Sequence, residues 1–329
     1  MKNKNKYLND GIVLLNKHKG ITSFNAINKL KWILNAEKTG HAGTLDPIAE
    51  GLLIVMINGA TKFSDVLMKK DKEYYVEMEL GYGTDSYDSE GKVINRYLGN
   101  IDISDEDVEK NVRYFLGDIE QVPPMFSAIK VNGEKLYNLA RKGMEIKRRE
   151  RKVKIHYIND IVYDKELRRV SFKAGVSSGT YIRSLVHDIG ERLGVYATMI
   201  RLIRTKIADY DLRDSVNLED VMIFFEENSD KNIDIGEINR ILKIKSVETV
   251  FPYEGIDIHE EKYRKLKNGM EVLMDSSKLK HIASFKLYGI YKIYKRNCGK
   301  DEKRVFSGFA KIVRITGNKI YLKRDRYFI

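Results

Sequence analysis

The chain has 329 residues, 43% of them hydrophobic, with 59 Lys/Arg against 47 Asp/Glu and a formal charge of +12. That length and apolar content suit two globular domains with a sizeable core and exclude a disordered chain. No run approaches the roughly 20 apolar residues of a membrane span, the charged start MKNKNKYLND has no apolar h-region, and Cys298, the single cysteine, excludes an internal disulfide or a cysteine-based zinc site.

GIVLLNK (11–17) reads as a buried strand. Thr22 or Ser23 can cap a helix with Phe24, Ile27, Leu30 and Leu34 on its apolar face. A Gly-rich segment, GHAGTLDPIAEGLL (40–53), follows, and LLIVMI (52–57) is short enough for a central strand. YYVEMELGYGTD (74–85) alternates and then breaks at Gly. Ser104 and Asp107 open a helix that ends near Gly117. QVPPMFSAIKVNGEKLYNLARKG (121–143) combines an extended Pro-Pro piece, an Asn-Gly turn and a short helix.

Strands at about 153–163 and 168–177 flank the turn DKEL, and SSGTYIRSLVHDIGERLG (177–194) is a Gly-led turn into an amphipathic helix. Beyond 251 the pattern changes to short strands: LKNGMEVL, LYGIYKIYK, FSGFAKIVRI and NKIYLKRDRYFI. The irregular mixing of helix and strand predicts an α+β fold. The boundary is placed at 248, giving a first domain over 1–248 and a small β-rich, barrel-like one over 249–329.

Charge is uneven. Residues 251–329 hold 19 Lys/Arg and 9 Asp/Glu, a net of +10, leaving about +2 for the rest. Such a tail is the footprint of a polyanion partner, or of plain solubility. RKGMEIKRRERKVK (141–154) is a second basic run, either a solvated face or a grip on phosphates.

Asp46, in Leu-Asp-Pro, is a turn residue, a metal ligand or a nucleophile. Gly40, Gly43 and Gly51 around it suggest tight backbone packing or close approach to a ligand. His41 is structural or catalytic. Tyr74 at a strand start is core, or a stacking surface for an extruded base. Arg183 in GTYIR belongs to a helix start, or pairs with a buried carboxylate and keeps it ionised. Asp85, Asp88 and Glu90 make a loose acidic loop; without a Glu at the twelfth position it is no EF-hand, and a turn is the simpler reading.

Six ordered blocks together resemble the TruB-type tRNA pseudouridine synthases. They are GIVLLNKHKGITS (11–23), GHAGTLDPIAEGLL (40–53), GATKF (59–63), KEYYVEMELGYGTDSYDSEG (72–91), QVPPMFSAIKVNGEKLYNLARKG (121–143) and GTYIRSLVHDIGERLG (179–194). The resemblance implies a pseudouridine synthase catalytic fold, a mixed and mostly antiparallel sheet flanked by helices, followed by a PUA-like tail. It implies isomerisation of the T-loop uridine of tRNA, position 55, without cofactor or metal. Asp46 is then the nucleophile, Tyr74 the stacking residue and Arg183 the partner of the carboxylate. Tyr181 and Leu202 line the pocket, and His41 recognises and flips the nucleotide. Gly43 lies in the catalytic loop, and Lys17, Lys19 and the 141–154 run are expected phosphate contacts. A cytoplasmic monomer acting on tRNA, with no membrane association and no obligatory protein partner, is expected.

The chain departs from the family at His18 in Lys17-His18-Lys19-Gly20, at Val176 and Ser178 before Gly179, at Ile203 beside Arg204, and at Glu50, where a small hydroxyl residue is usual. A carboxylate there would oppose ionisation of Asp46 if it pointed inward. Three rival readings remain: a tRNA-folding chaperone on the same fold, a metal-dependent nuclease using Asp46, Asp85, Asp88 and Glu90, and a guide-RNA-dependent synthase.

Overall fold

The Glu50–Ile57 strand is buried at all but its first position, and its alternation explains the architecture. Leu53, Val55 and Ile57 face one core with Val13, Leu15 and the helices Ser23–Leu34, Leu218–Glu227 and Ile235–Leu242. Leu52, Ile54 and Met56 face another with Phe63, Phe251, Phe309 and Tyr327. A strand covered on both sides has no polar face to show, so it reads as a continuous apolar run. The computed structural model describes residues 10–127, 129–131, 133–228, 233–279, 284–296 and 304–328. Cys298, residues 1–9 and Asn132 of the expected Asn-Gly turn lie outside them.

This strand belongs to an eleven-stranded sheet. The main path runs Val216–Asn217, Gly11–Lys17, Glu50–Ile57, Ala197–Ile207, Lys72–Leu80, Arg169–Val176, Arg151–Asp164 and Gly117–Gln121. Two pairings on this path are parallel, Gly11–Lys17 with Val216–Asn217 and Ala197–Ile207 with Glu50–Ile57; the others are antiparallel. The second is short, only Ile203 opposite Glu50 and Arg204 opposite Gly51. A third core lies beneath the other half of the sheet, where helices Asp105–Arg113 and Ile182–Leu193 bury Val108, Val112, Ile182, Leu185, Val186 and Ile189. The mixed, mostly antiparallel α+β arrangement is the expected one.

Some local expectations change. Thr22 caps the first helix, accepting a bond from the Asn25 amide at 3.0 Å, and Asn35 closes it in the left-handed region. Its buried face is Ser23, Ala26, Ile27, Leu30 and Leu34, whereas Phe24 is 65% exposed. The Ile182–Leu193 helix has no side-chain cap: Tyr181 takes the cap position through its backbone, and the Thr180 hydroxyl donates to the Ser177 carbonyl. The helix after Ser104 stops at Arg113, and Gly117 begins a strand instead of ending the helix.

The tail forms a curled five-stranded sheet in the order Gly255–His259, Ile290–Arg296, Arg304–Thr316, Lys319–Phe328 and Val272–Asp275. The stretch read as the strand LKNGMEVL is divided: Leu266 and Lys267 end the Glu260–Lys267 helix, Gly269 turns at φ +80°, and the strand is Val272–Asp275. The sheet docks on the first part of the chain through aromatic rings. The Phe63 ring lies 4.6 Å from Phe251, 5.3 Å from Phe309 and 5.8 Å from Tyr327. The Tyr327 hydroxyl donates to Asp10, which also accepts from the Gly59 amide. Arg326 pairs with Asp65 at 2.6 Å. The change of architecture near 248 falls in the short helix Val247–Val250, whose valines join this same cluster.

Candidate active site

Residues 42–49 form a loop between the Thr39–His41 and Glu50–Ile57 strands, and both of its sides are pinned. On one side the Ser23 hydroxyl donates to the Leu45 carbonyl at 3.0 Å and accepts from the Leu45 amide at 2.8 Å. The Pro47 carbonyl accepts from the Gly20 amide. On the other, the buried Arg204 guanidinium donates to the carbonyls of Gly43 at 3.0 Å and Leu52 at 2.7 Å. Gly51 makes this crossing possible. A Cβ there would stand 2.4 Å from the Arg204 carbonyl oxygen, and its φ of +100° suits only glycine.

The pinned loop presents Asp46 with its side chain 38% exposed, while the Arg183 side chain beside it is 5% exposed. Arg183 Nη2 stands 2.9 Å from Asp46 Oδ2 and donates to the Phe126 carbonyl at 2.8 Å. Its Nη1 donates to the Ser86 carbonyl at 3.2 Å and lies 3.4 Å from Asp88 Oδ2. One guanidinium therefore serves two carboxylates and two carbonyls through its two terminal nitrogens. Burial raises the Asp88 carboxyl, against the hydrogen bond from Ser86 and the charge of Arg183.

Tyr181 brackets the same site. Its amide donates to Gln121 Oε1 and its carbonyl accepts from Gln121 Nε2. Burial raises its phenol, and the Asp46 charge adds to the effect. Tyr74, 8% exposed, packs in one apolar cluster with Leu45, Ile48, Ala49, Ile182 and Leu202. His41 lies on the strand leading into the loop; burial and the Arg204 charge push its imidazole down. Gly43 holds the turn at φ +102°.

The sequence-based candidates Asp46, Arg183, Tyr181, Tyr74, Leu202, Gly43 and His41 thus gather around one loop. Lys19 is exposed at its rim, where its charge is felt by Glu90. Lys17 is a correction. Expected to meet phosphate, it has 0% exposure, and its ammonium donates to the carbonyls of His18, Ile21 and, at 3.5 Å, Pro47. Burial lowers its ammonium to about 8 against the pull of Asp46 and Glu50. It supports the loop and meets no solvent. In the 141–154 run, Arg148 is likewise turned inward, bonding the Pro123 carbonyl, while its other cations are exposed.

Glu50 lies 3.7 Å from Arg201, which also pairs with Glu77. Of the acidic loop, Asp85 accepts from the Lys92 amide and Asp88 from the Glu90 amide, as turn residues do. Among the described residues no three His, Cys, Asp or Glu side chains stand close enough to hold a metal ion. Asp88, Ser23 and Arg204 also build the site, in roles that sequence reasoning did not give them: it read Asp88 as part of an acidic turn, Ser23 as a possible helix cap, and Arg204 only as the neighbour of Ile203.

The model of the TruB family pseudouridylate synthase N-terminal domain matches residues 31–182, and that of the tRNA pseudouridylate synthase B C-terminal domain matches 183–250. The chain belongs to the TruB family. The tRNA pseudouridine synthase B of Fusobacterium nucleatum is 43% identical over 283 residues, covering 86% of this chain and 92% of that protein. That of Clostridium tetani is 43% identical over 263 residues, covering 80% and 86%. Among solved structures, an H/ACA RNP bound to a substrate RNA containing 2'-deoxyuridine contains a chain 25% identical to this TruB family member. The TM-score is 0.67, over 97% of this chain and 85% of that one. The two family models end at residue 250, whereas this structural likeness takes in most of the tail as well.

Proposed function

We propose that the chain isomerises a uridine of tRNA to pseudouridine, at position 55 of the T loop, with Asp46 as the nucleophile. The carrying observation is the half-exposed Asp46 carboxylate held by the buried Arg183 at 2.9 Å. The reaction breaks the N1–C1′ bond, turns the uracil, and forms a C5–C1′ bond. C5 gives up a proton and N1 gains one. No electrons are exchanged with a cofactor. A stacked uridine hides these atoms, so the nucleotide must leave the stack and enter the site. Tyr74 then lies against the flipped base, Tyr181 and Leu202 close its pocket, and His41 with Gly43 lines the approach. Arg183 orients the carboxylate for attack.

The likeness to a chain of an H/ACA RNP favours a guide-RNA-dependent reading as the alternative. The 43% identity over most of the chain to proteins named tRNA pseudouridine synthase B favours a synthase that needs no guide and no protein partner. In this reading residues 1–248 are the catalytic domain, and 249–329 are a PUA-like RNA-binding unit whose net charge of +10 over 251–329 supports it. A cytoplasmic monomer fits a reaction on free tRNA.

The test is tritium release from C5-labelled uridine in an unmodified tRNA transcript, without metal or guide RNA. Wild type releases tritium and Asp46→Asn does not. No release by a wild-type chain that still binds the tRNA would overturn the reading in favour of a chaperone or a guide-dependent enzyme.

A further inference from the structure

A second concave site lies away from Asp46, at the junction of the two parts of the molecule. It is a pocket of about 460 Å³ lined by Lys62, Lys311, Arg324, Asp325, Arg326 and Phe328. Lys62 comes from the Asn58–Phe63 turn of the catalytic part, and the others come from two neighbouring strands of the tail. Four cations face one carboxylate.

The cations are not equally occupied. Arg326 is paired with Asp65 at 2.6 Å and lies 3.6 Å from Asp325. Arg324 gives one N–H to the Lys267 carbonyl and, among the described residues, has no carboxylate partner. Among the described residues, neither Lys62 nor Lys311 has a carboxylate partner. Lys311 also stands directly opposite Lys323 on the adjacent antiparallel strand. Like charges in that position repel and weaken a sheet unless an anion lies between or beside them. Uncompensated cations in a concavity, with a built-in cross-strand repulsion, are the arrangement an anion relieves.

We infer that this pocket is a phosphate-binding subsite that holds a phosphodiester of the RNA substrate, away from the reacting uridine. The inference rests on the tRNA reading above and adds to it a place and a set of residues. The chain itself bounds the geometry. Lys62 lines the pocket, and the Cε of Lys72 lies 3.8 Å from where a Gly43 Cβ would stand in the catalytic loop. Ten residues separate the two lysines, so their Cα atoms are at most about 35 Å apart, and the side chains carry the span from there to the pocket and to the loop. One tRNA-sized polyanion can engage both. Phosphate contacts of this kind fix register and carry affinity without reading sequence.

The test uses the full-length chain and an unmodified tRNA transcript, with binding followed by fluorescence anisotropy across a salt series. Lys62→Gln/Lys311→Gln is expected to bind several-fold more weakly. Its plot of log affinity against log salt should be shallower by about 0.9 for each phosphate that it no longer neutralises. Asp325→Asn, which removes the only carboxylate lining the pocket, is expected to bind more tightly. A double variant that melts like wild type with unchanged affinity and slope overturns the inference. Should the double variant fail to fold, Asp325→Asn decides alone, and unchanged or weaker binding overturns it. Inorganic phosphate distinguishes the other source of the same chemistry. If phosphate raises the melting temperature of wild type but not of the double variant, while tRNA affinity is equal in both, the pocket holds a free ion and the RNA assignment falls. Tritium release measured in parallel separates the two readings. A pocket-dependent slope without release removes the proposed function and leaves the subsite, and release with a pocket-independent slope does the reverse.

Discussion

Ser23 and Leu45 are bonded to each other twice, hydroxyl to carbonyl at 3.0 Å and amide to hydroxyl at 2.8 Å, with both residues buried. A hydroxyl is the smallest group able to donate and accept at once. Ser23→Ala leaves the Leu45 N–H and C=O buried without this partner, a loss of about 1–3 kcal/mol. It also frees the loop that carries Asp46. Urea denaturation should show the lost stability, and single-turnover tritium release should slow while tRNA affinity holds. Unchanged stability would mean that the loop finds other partners.

Arg183 separates two carboxylates that would otherwise face one another across the site. Arg183→Met leaves Asp88, buried and bonded to Ser86, without its cation. Removing one member of a buried pair costs about 3–5 kcal/mol. Adding Asp88→Asn to Arg183→Met should return part of that stability but none of the activity, because Asp46 still lacks its clamp. A double-mutant cycle by chemical denaturation measures the coupling, and a sum of independent effects would contradict the arrangement.

Two glycines with similar backbone angles should respond differently. Gly51→Ala places a methyl 2.4 Å from the Arg204 carbonyl oxygen, and Gly20→Ala, at φ +92°, places one in open space. Gly20→Ala should cost only the left-handed strain of about 1–2 kcal/mol. Gly51→Ala should cost several times more, or yield no soluble chain. Equal melting temperatures for the two would show that the strand crossing at Arg204 can open.

Asp188 gives a pH prediction with a definite sign. Burial, then the nearby Glu191 charge, raises its carboxyl to about 6 from 3.8. Between those values the folded chain binds more protons than the unfolded one, so this group's contribution to stability falls as pH rises from about 3.8 to 6. Above that window the folded state carries the full penalty. Asp188→Asn should therefore stabilise the chain at neutral pH, by about 1 kcal/mol after allowance for partial exposure, and leave acidic stability nearly unchanged. Melting curves at about pH 4, at the foot of the window, and about pH 7.5, above it, test it; greater stabilisation at the acidic pH would reverse the sign and refute it.

The tail is expected to be inseparable. A chain ending at residue 250 would strip Phe309 and Tyr327 from Phe63 and remove the partner of Asp65. Loss of soluble yield, or a melting temperature several degrees lower, is the expected outcome. A soluble 1–250 chain that melts like the full one would show the junction to be a loose one.

What was legible in the sequence was what local pattern carries. The alternation in Lys72–Leu80, the apolar run in Glu50–Ile57 and the Gly194 stop each depend on near neighbours. Lys17 misled because a lysine at the end of a strand gives no sign that the carbonyls of Ile21 and Pro47 converge on it. Arg204 and Gly43 are 161 positions apart, so their bond had no local signature. Asp88 was visible as part of an acidic turn, but its partner Arg183 lies on a distant helix. Phe24 sat at helical spacing, yet its helix buries the face beside it and not its own. The Glu260–Lys267 helix did leave a signal, the Glu260–Arg264 and Glu261–Lys265 pairs four residues apart. The nearby Asn-Gly turn outweighed it.

The ring cluster at the junction also sets an order of events during synthesis. Lys62, beside Phe63, and Arg326, beside Tyr327, touch each other across 264 positions of chain. At 5–20 residues per second a ribosome needs roughly 15–50 s to travel that far. For that interval Phe63 has no Phe309 or Tyr327 to cover it, and the nascent enzyme carries a sticky face. Until then Phe251 is the tail ring available to it, and the face closes only when the last strand, Lys319–Phe328, has been made.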